Sequence, residues 1–156
     1  MHYCKGFSFI ELLATLVILG VLATIAVPAI QITVQQKKES ELKKSLHEVR
    51  TAIDNYKIAY DNKRIRNEIG KSGYPPNLQV LVDGVIDERS PNQDKIYFLR
   101  RLPQDPFVDS KQGTNGNWGV RSYNSSADDP KEGDDVYDIY STSTGVGLNG
   151  NKYRQW

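Results

Sequence analysis

From Leu12 to Gln36 the chain carries no formal charge, and Leu12 to Ile30 is almost wholly apolar. A run of about 20 such residues spans the hydrocarbon of a bilayer as a helix. Whatever this chain folds into must give that segment lipid or protein to lie against. The run is longer than a secretory h-region of about 7 to 15 residues, and no small-residue cleavage site with a polar start follows it. Pro28 and Gly20 break ordinary helix rules. Pro28 removes one backbone hydrogen bond and clashes with the carbonyl of Thr24, so a kink or locally melted turn is expected there. Membrane helices tolerate such breaks, and Thr24 is placed to help satisfy the freed groups.

One carboxylate, Glu11, opens this run. An ionised side chain inside a bilayer costs roughly 2.5 to 3.5 kcal/mol on insertion scales, so Glu11 calls for a compensating partner. Beyond the apolar run the residues Leu42, Leu46, Val49, Ile53, Tyr56 and Tyr60 step by four and three. That is the seam of a helix packed along one stripe, with Glu39, Lys43, Lys44, Glu48, Arg50, Asp54, Lys57 and Asp61 expected elsewhere on its surface. Glu39 with Lys43 and Arg50 with Asp54 stand at the spacing of weak surface pairs. The seam lasts under three heptads, which suits a helix lying on its own domain's core better than a dimeric coiled coil. If the helix is continuous from Phe7 to about Asn67, its rise of about 1.5 Å per residue makes it roughly 90 Å long. No small domain buries a rod of that length, so its first half needs lipid or other subunits.

Gly70 to Gly73, followed by Tyr74-Pro75-Pro76, ends the helix and starts a turn-rich region. Leu78 to Val82 reads as a short helix, and Asp83-Gly84 and Asp87 to Lys95 as loops. Ile96 to Leu102 reads as a short extended or helical piece. Trp118 to Tyr123 and Asp135 to Thr142 are expected strands. Gly145 to Trp156 is expected to add a third, with Asn149-Gly150 as a hairpin or turn signal. No internal repeat or low-complexity tract is evident.

At 156 residues the chain has room for one modest domain besides the apolar segment. It has 20 basic and 19 acidic residues. That balance argues against bulk electrostatic binding of nucleic acid. The single cysteine, Cys4, precedes the apolar run, so neither a disulfide framework nor a lipidated cysteine following a hydrophobic segment fits. No catalytic set emerges. His2 lies before the run, and His47 sits on the charged helix without a second His or Cys at ligand spacing. The letters Gly145-Val146-Gly147-Leu148-Asn149-Gly150 match GxGxxG, but no room remains for a following helix, and they read as a turn.

Lys5-Gly6-Phe7-Ser8-Phe9-Ile10-Glu11-Leu12-Leu13 resembles, in type and spacing, the cleavage signature of type IV prepilins and type II secretion pseudopilins. Several later stretches resemble the major pseudopilin of type II secretion systems. They are Tyr74-Pro75-Pro76-Asn77-Leu78, Leu99-Arg100-Arg101-Leu102-Pro103-Gln104-Asp105-Pro106-Phe107, Trp118-Gly119 and Asp138-Ile139-Tyr140-Ser141. The resemblance implies an α+β, type IV pilin-like fold: a long N-terminal helix packed on a small C-terminal domain with an antiparallel sheet. It divides the chain into a leader (1–6), a transmembrane and assembly half of the helix (7–30), an amphipathic half (31–69) and a globular periplasmic domain (70–156). It also implies that a prepilin peptidase cuts between Gly6 and Phe7 and N-methylates Phe7. Loss of residues 1–6 removes Lys5 and Cys4, leaving a formally neutral, cysteine-free product.

By the same resemblance the chain is a non-enzymatic subunit that polymerises into a periplasmic pseudopilus, with minor pseudopilins and an inner-membrane assembly platform as partners. The alternative is a pilin of a surface type IV pilus, for adhesion, motility or DNA uptake. A single-span anchored binding module is the third class. Basic residues flank both ends of the run, with Lys5 before it and Lys37, Lys38, Lys43 and Lys44 after it. Counting positive charges alone would favour the opposite topology to a cytoplasmic leader. The resemblance orients the run instead, with the leader cytoplasmic and the domain outside. Glu11 is then expected to pair with the freed amino group of a neighbouring subunit, an assembly contact within the apolar bundle.

Two elements of the resemblance have a plain physical reading as well. Arg101-Leu102-Pro103-Gln104-Asp105-Pro106 has two prolines that fix φ and an Asp that can cap a turn, which suits a rigid loop docked on the helix. Partner contact by Arg100 or Arg101 is the other reading. Major pseudopilins commonly hold calcium in an Asp- and Gly-rich loop after the Asp-Ile-Tyr-Ser-like strand. Here Thr142 to Trp156 contain no carboxylate. An acidic cluster lies upstream instead, with Asp128, Asp129, Glu132, Asp134, Asp135 and Asp138 as candidate calcium ligands or as a solvated acidic loop, although the spacing is no EF-hand. Gly147-Leu148-Asn149-Gly150 through Tyr153 and Trp156 offers aromatic packing in place of the metal.

Overall fold

The computed structural model describes residues 6–67, 70–109 and 115–156, apart from the side chains of residues 25–29. In chain order the elements are α1 (Phe9–Asp61), α2 (Gln79–Asp83), β1 (Val85–Ile86), β2 (Lys95–Ile96), β3 (Trp118–Arg121) and β4 (Asp138–Ser141), then a 3₁₀ turn at Tyr153–Gln155. A long N-terminal helix followed by a small domain of antiparallel strands is the pilin-like α+β class expected from sequence. The chain divides into two compact units, Met1–Lys37 and Lys38–Trp156. Pro28, with the kink expected there, falls among the side chains outside the description.

In the unit Lys38–Trp156, the expected seam of α1 is buried at every position, from Leu42 and Val49 at 0% exposure to Tyr60 at 9%. Ala52 and Ala59 extend the stripe. Leu78, Leu81, Leu99, Trp118, Val120, Val136, Ile139 and Tyr153 complete the core against it. Full burial of each large apolar side chain contributes about 1.5 to 3 kcal/mol, so this stripe is the main reason the second half of α1 is ordered.

α1 stops at Asp61, short of the expected end near Asn67. Lys63 takes a left-handed φ of 56°. Its neighbours then close the helix, Lys63 N–H on the Tyr60 carbonyl at 2.8 Å and Arg64 N–H on that of Ala59 at 2.9 Å. A left-handed conformation costs a non-glycine residue about 1–2 kcal/mol. Arg64 helps offset this: its guanidinium pairs with Asp87, and its carbonyl accepts the N–H of Glu88 at 2.8 Å.

The sheet content is two antiparallel pairs. β1 pairs with β2, and β3 with β4 in the register Trp118 to Ser141 through Arg121 to Asp138. Both longer strands lie within the stretches read from sequence. Gly119 faces Tyr140 so closely that a Cβ there would lie 2.4 Å from two ring carbons. The third strand expected at Gly145 to Trp156 does not form. That segment has a single bridge, Val146 to Lys152, a turn in which Gly150 adopts a φ of 82°, and the 3₁₀ turn. Gly147 N–H donates to the Asn151 carbonyl and Gly150 N–H to that of Gly147, so the glycines curl the chain rather than extend it.

The Arg101–Pro106 loop is pinned to the start of β3, and Leu102 packs against the core to which α1 contributes. Trp118 Nε1 donates to the Pro103 carbonyl at 2.8 Å, and Asn117 Oδ1 accepts from Asp105 N–H at 3.0 Å. Asn117 Nδ2 donates to the carbonyls of Asp105 and Val108. Asp105 Oδ1 caps the turn by accepting from Phe107 N–H at 2.8 Å, as its residue type suggests. Arg100 and Arg101 remain exposed.

Candidate functional site

The first residues of α1 carry the site read from sequence. Gly6 and Phe7 precede the helix in irregular chain, Phe7 is 77% exposed, and space around Gly6 is open. The bond between them is accessible. Ser8 is the N-cap position: its carbonyl accepts the N–H groups of Glu11 at 3.0 Å and Leu12 at 3.2 Å. Glu11 Oε2 in return accepts from Ser8 N–H at 3.4 Å. Ser8-Phe9-Ile10-Glu11 thus forms one half of a capping box, the half in which the N3 carboxylate reaches back to the N-cap amide. The positive end of the helix dipole favours an anion at the same place. This local role of Glu11 escaped the sequence reading although the S-x-x-E spacing was its signal. Among the described residues no basic side chain pairs with Glu11.

Behind Glu11 the apolar side chains have no intrachain cover. Phe9 is 76% exposed, Ile10 74%, Val17 66% and Leu16 63%, and Ile30, Ile32 and Val34 are exposed as well. They point in every direction around the helix, because consecutive residues from Leu16 to Leu19 are all exposed. A helix apolar all round belongs inside lipid or inside a bundle. The hydroxyls in the run turn inward, Thr15 to the Leu12 carbonyl at 2.8 Å and Thr24 to that of Val21 at 2.7 Å, which removes their polarity from the surface. Thr24 is therefore committed to the turn before it. Among the described residues no helix is long and apolar enough to cross a membrane. The run Leu12–Ile30 is interrupted in that description by the side chains of residues 25–29.

The acidic candidates do not gather. Asp138 is engaged on both oxygens, by Arg50 Nε at 2.8 Å and Arg121 at 3.4 Å. Asp135 accepts from Ser72 and from Tyr123 N–H at 2.9 Å. Asp129 pairs with Lys131, while Asp128, Glu132 and Asp134 are exposed. Among the described residues no three His, Cys, Asp or Glu side chains come together as a metal site. The calcium candidates Asp128, Asp129, Asp134, Asp135 and Asp138 thus stand apart from one another. The carboxylates of Asp129, Asp135 and Asp138 are each engaged by different partners at separate places along the loop and strand.

Two helix residues expected on the surface also find other roles. Glu39 is buried at 8% exposure, and its Oε1 accepts from Leu148 N–H at 2.9 Å and Tyr153 O–H at 3.0 Å. Arg50 turns away from Asp54 to the strand and the segment beyond it. It bonds Asp138, the Ile139 carbonyl at 3.0 Å and the Trp156 backbone oxygen at 2.8 Å. Tyr153 stacks on Phe107 with ring centroids 4.1 Å apart, and Lys43 Nζ lies 4.6 Å from the Trp156 ring centroid.

Comparison with known proteins accounts for both halves of this arrangement. Residues 1–27 match the prokaryotic N-terminal methylation motif. The chain is 30% identical to the type II secretion system core protein G of Dickeya chrysanthemi over 155 residues, 94% of this chain and 92% of that one. It is 31% identical to the protein of that name in Pseudomonas aeruginosa, covering 83% and 87% of the two chains. For the one in Klebsiella pneumoniae the identity is 32%, covering 69% and 71%. No solved structure gives a significant match. With an exposed apolar helix opened by a capped glutamate, and with relatives aligned over nearly its full length, this chain belongs to the type II secretion system core protein G family.

Proposed function

We propose that the chain is a non-catalytic structural subunit that polymerises through its apolar helix into the pseudopilus of a type II secretion system. A prepilin peptidase cuts between Gly6 and Phe7 and methylates the new amino group. The subunit waits in the bacterial inner membrane as a single-pass protein, helix residues 7–30 in lipid and residues 70–156 in the periplasm. It then leaves lipid for a bundle of its own kind, joined by minor pseudopilins on an inner-membrane platform.

The observation that carries this reading is the uncovered apolar surface of α1, from Phe9 at 76% exposure to Val34 at 49%. Such a surface must be covered, and a copy of the same helix supplies matching apolar cover at no polar cost. Glu11 then sets the register. In the single chain it holds Ser8 N–H and lacks a cation among the described residues. The methylated amino group of Phe7 on a neighbour supplies one, and a buried ion pair is well suited to fixing register.

Glu11→Ala should insert in the membrane yet form few or no filaments, with secreted proteins retained in the periplasm. Normal filaments and normal secretion from that variant would refute the role of Glu11. Mass spectrometry should find N-methylated Phe7 at the start of the mature chain. Deletion of the gene should abolish exoprotein release while surface pili persist; the reverse outcome assigns the chain to a type IV pilus.

A further inference from the structure

The family resemblance places a calcium ion in a carboxylate-bearing loop after β4, and this chain has no Asp or Glu from Thr142 to Trp156. A hard cation takes about 6–8 oxygen ligands with carboxylates among them. The acidic residue that ends nearest, Asp138, already has both oxygens on Arg50 and Arg121. The residues present do not fit the ion.

We propose that two side chains of α1, Glu39 and Arg50, form a cation-independent latch that holds residues 142–156 closed in place of a structural calcium ion. The two points have opposite polarity. At one, a buried anion on the helix receives two donors from the segment, Leu148 N–H at 2.9 Å and Tyr153 O–H at 3.0 Å. At the other, a guanidinium sits among an Asp138 oxygen at 2.8 Å, the Ile139 carbonyl at 3.0 Å and the Trp156 backbone oxygen at 2.8 Å. A carboxylate and two backbone oxygens are the acceptor set that a hard cation would use. Here the positive charge is the protein's own, covalently fixed to α1. A planar guanidinium with several donors can bridge acceptors from different segments at once, which a lysine ammonium does less well. Between the two points the segment is packed by rings, with Tyr153 stacked on Phe107 and edge-on to Trp156.

The latch is independent of which filament the chain builds, and its test reads no assembly. Full-length protein in detergent micelles is exchanged into deuterated buffer with excess calcium chloride or excess EDTA. Amide exchange across residues 142–156 is then followed by mass spectrometry. The parent should show the same protection in both buffers. Glu39→Ala should speed exchange of that segment by about tenfold or more, the loss expected for a buried bond to a charged group, and Arg50→Ala, whose half-exposed guanidinium is partly screened by solvent, by about threefold or more, with no rescue by calcium. Arg50→Lys should resemble Arg50→Ala. If an alanine variant fails to fold, Glu39→Gln, which keeps an oxygen acceptor without the charge, should exchange that segment faster than the parent and equally in both buffers. The proposal is overturned if EDTA deprotects the parent segment and calcium restores it, or if the variants exchange as slowly as the parent.

Discussion

Gly119→Ala should destabilise the Lys38–Trp156 unit through one contact. The new Cβ would lie 2.4 Å from both Cε2 and Cζ of Tyr140, and 2.9 Å from Cδ2. Ordinary carbon contacts are about 3.5–4.0 Å, so the ring must move by roughly 1 Å or more, or the β3–β4 pair must open. The ring is not free to move without loss, because Arg154 lies over its face at 5.2 Å from the centroid. Overpacking of this kind costs typically about 1–3 kcal/mol. Against that, Gly→Ala restricts the unfolded chain and returns about 0.4–1 kcal/mol where the backbone is compatible; Gly119 is not among the positive-φ glycines. The net expectation is a loss of about 1–2 kcal/mol, or a fall in Tm of very roughly 4–8 °C at the sensitivity usual for a domain of this size. Thermal unfolding followed by near-ultraviolet circular dichroism reads it directly. The pairing makes the reasoning refutable: in a Tyr140→Ala background, Gly119→Ala should cost nothing or stabilise. An equal loss in both backgrounds would mean that the ring is not the cause.

Trp118→Phe leaves the Pro103 carbonyl without its indole donor at 2.8 Å, and a buried acceptor left unmade costs about 1–3 kcal/mol. The urea midpoint should fall accordingly while the slope of the transition stays constant. The Arg64–Asp87 pair gives an acid-dependent contribution. The side-chain hydrogen bond from Arg64 holds the Asp87 carboxyl below the usual carboxylate range. Its stabilisation is therefore fully present above the unfolded value of about 3.9 and is lost as pH falls through the lower folded value. Asp87→Asn should lower Tm at neutral pH, and the gap from the parent should close in strong acid; a constant gap would refute the assignment.

What the sequence made legible was what repeats locally. The helical seam from Leu42 to Tyr60 was visible because its steps of three and four depend only on neighbours along one helix, and every one of those residues is buried. The apolar run and Glu11 were equally plain. The end of α1 was not, because the visible stop signal was Gly70, while the actual reversal uses Lys63 at φ 56° and gains support from Asp87 far along the chain. Glu39 was placed on the surface because carboxylates usually are, yet its donors come 109 and 114 residues later. The third strand failed for a local reason that was available, since three glycines interrupt Gly145 to Gly150. The acidic residues Asp128 to Asp138 are close in sequence, but among the described residues no three of their carboxylates meet.

The reach of Glu39 and Arg50 also fixes when this domain can fold. Their partners lie between 88 and 114 positions downstream, so these contacts close some of the longest loops in the chain. Loop-closure entropy must be met before such contacts stabilise anything. While the chain emerges, α1 therefore exists with part of its seam open and a buried-to-be carboxylate still hydrated. Only delivery of residues 148–156 completes the cover. A chain halted short of them is expected to lack a closed domain rather than to have a slightly smaller one, and to be recognised by the cell as unfolded. Folding is thereby tied to delivery of the whole domain, which keeps incomplete subunits from presenting a finished surface to a growing filament.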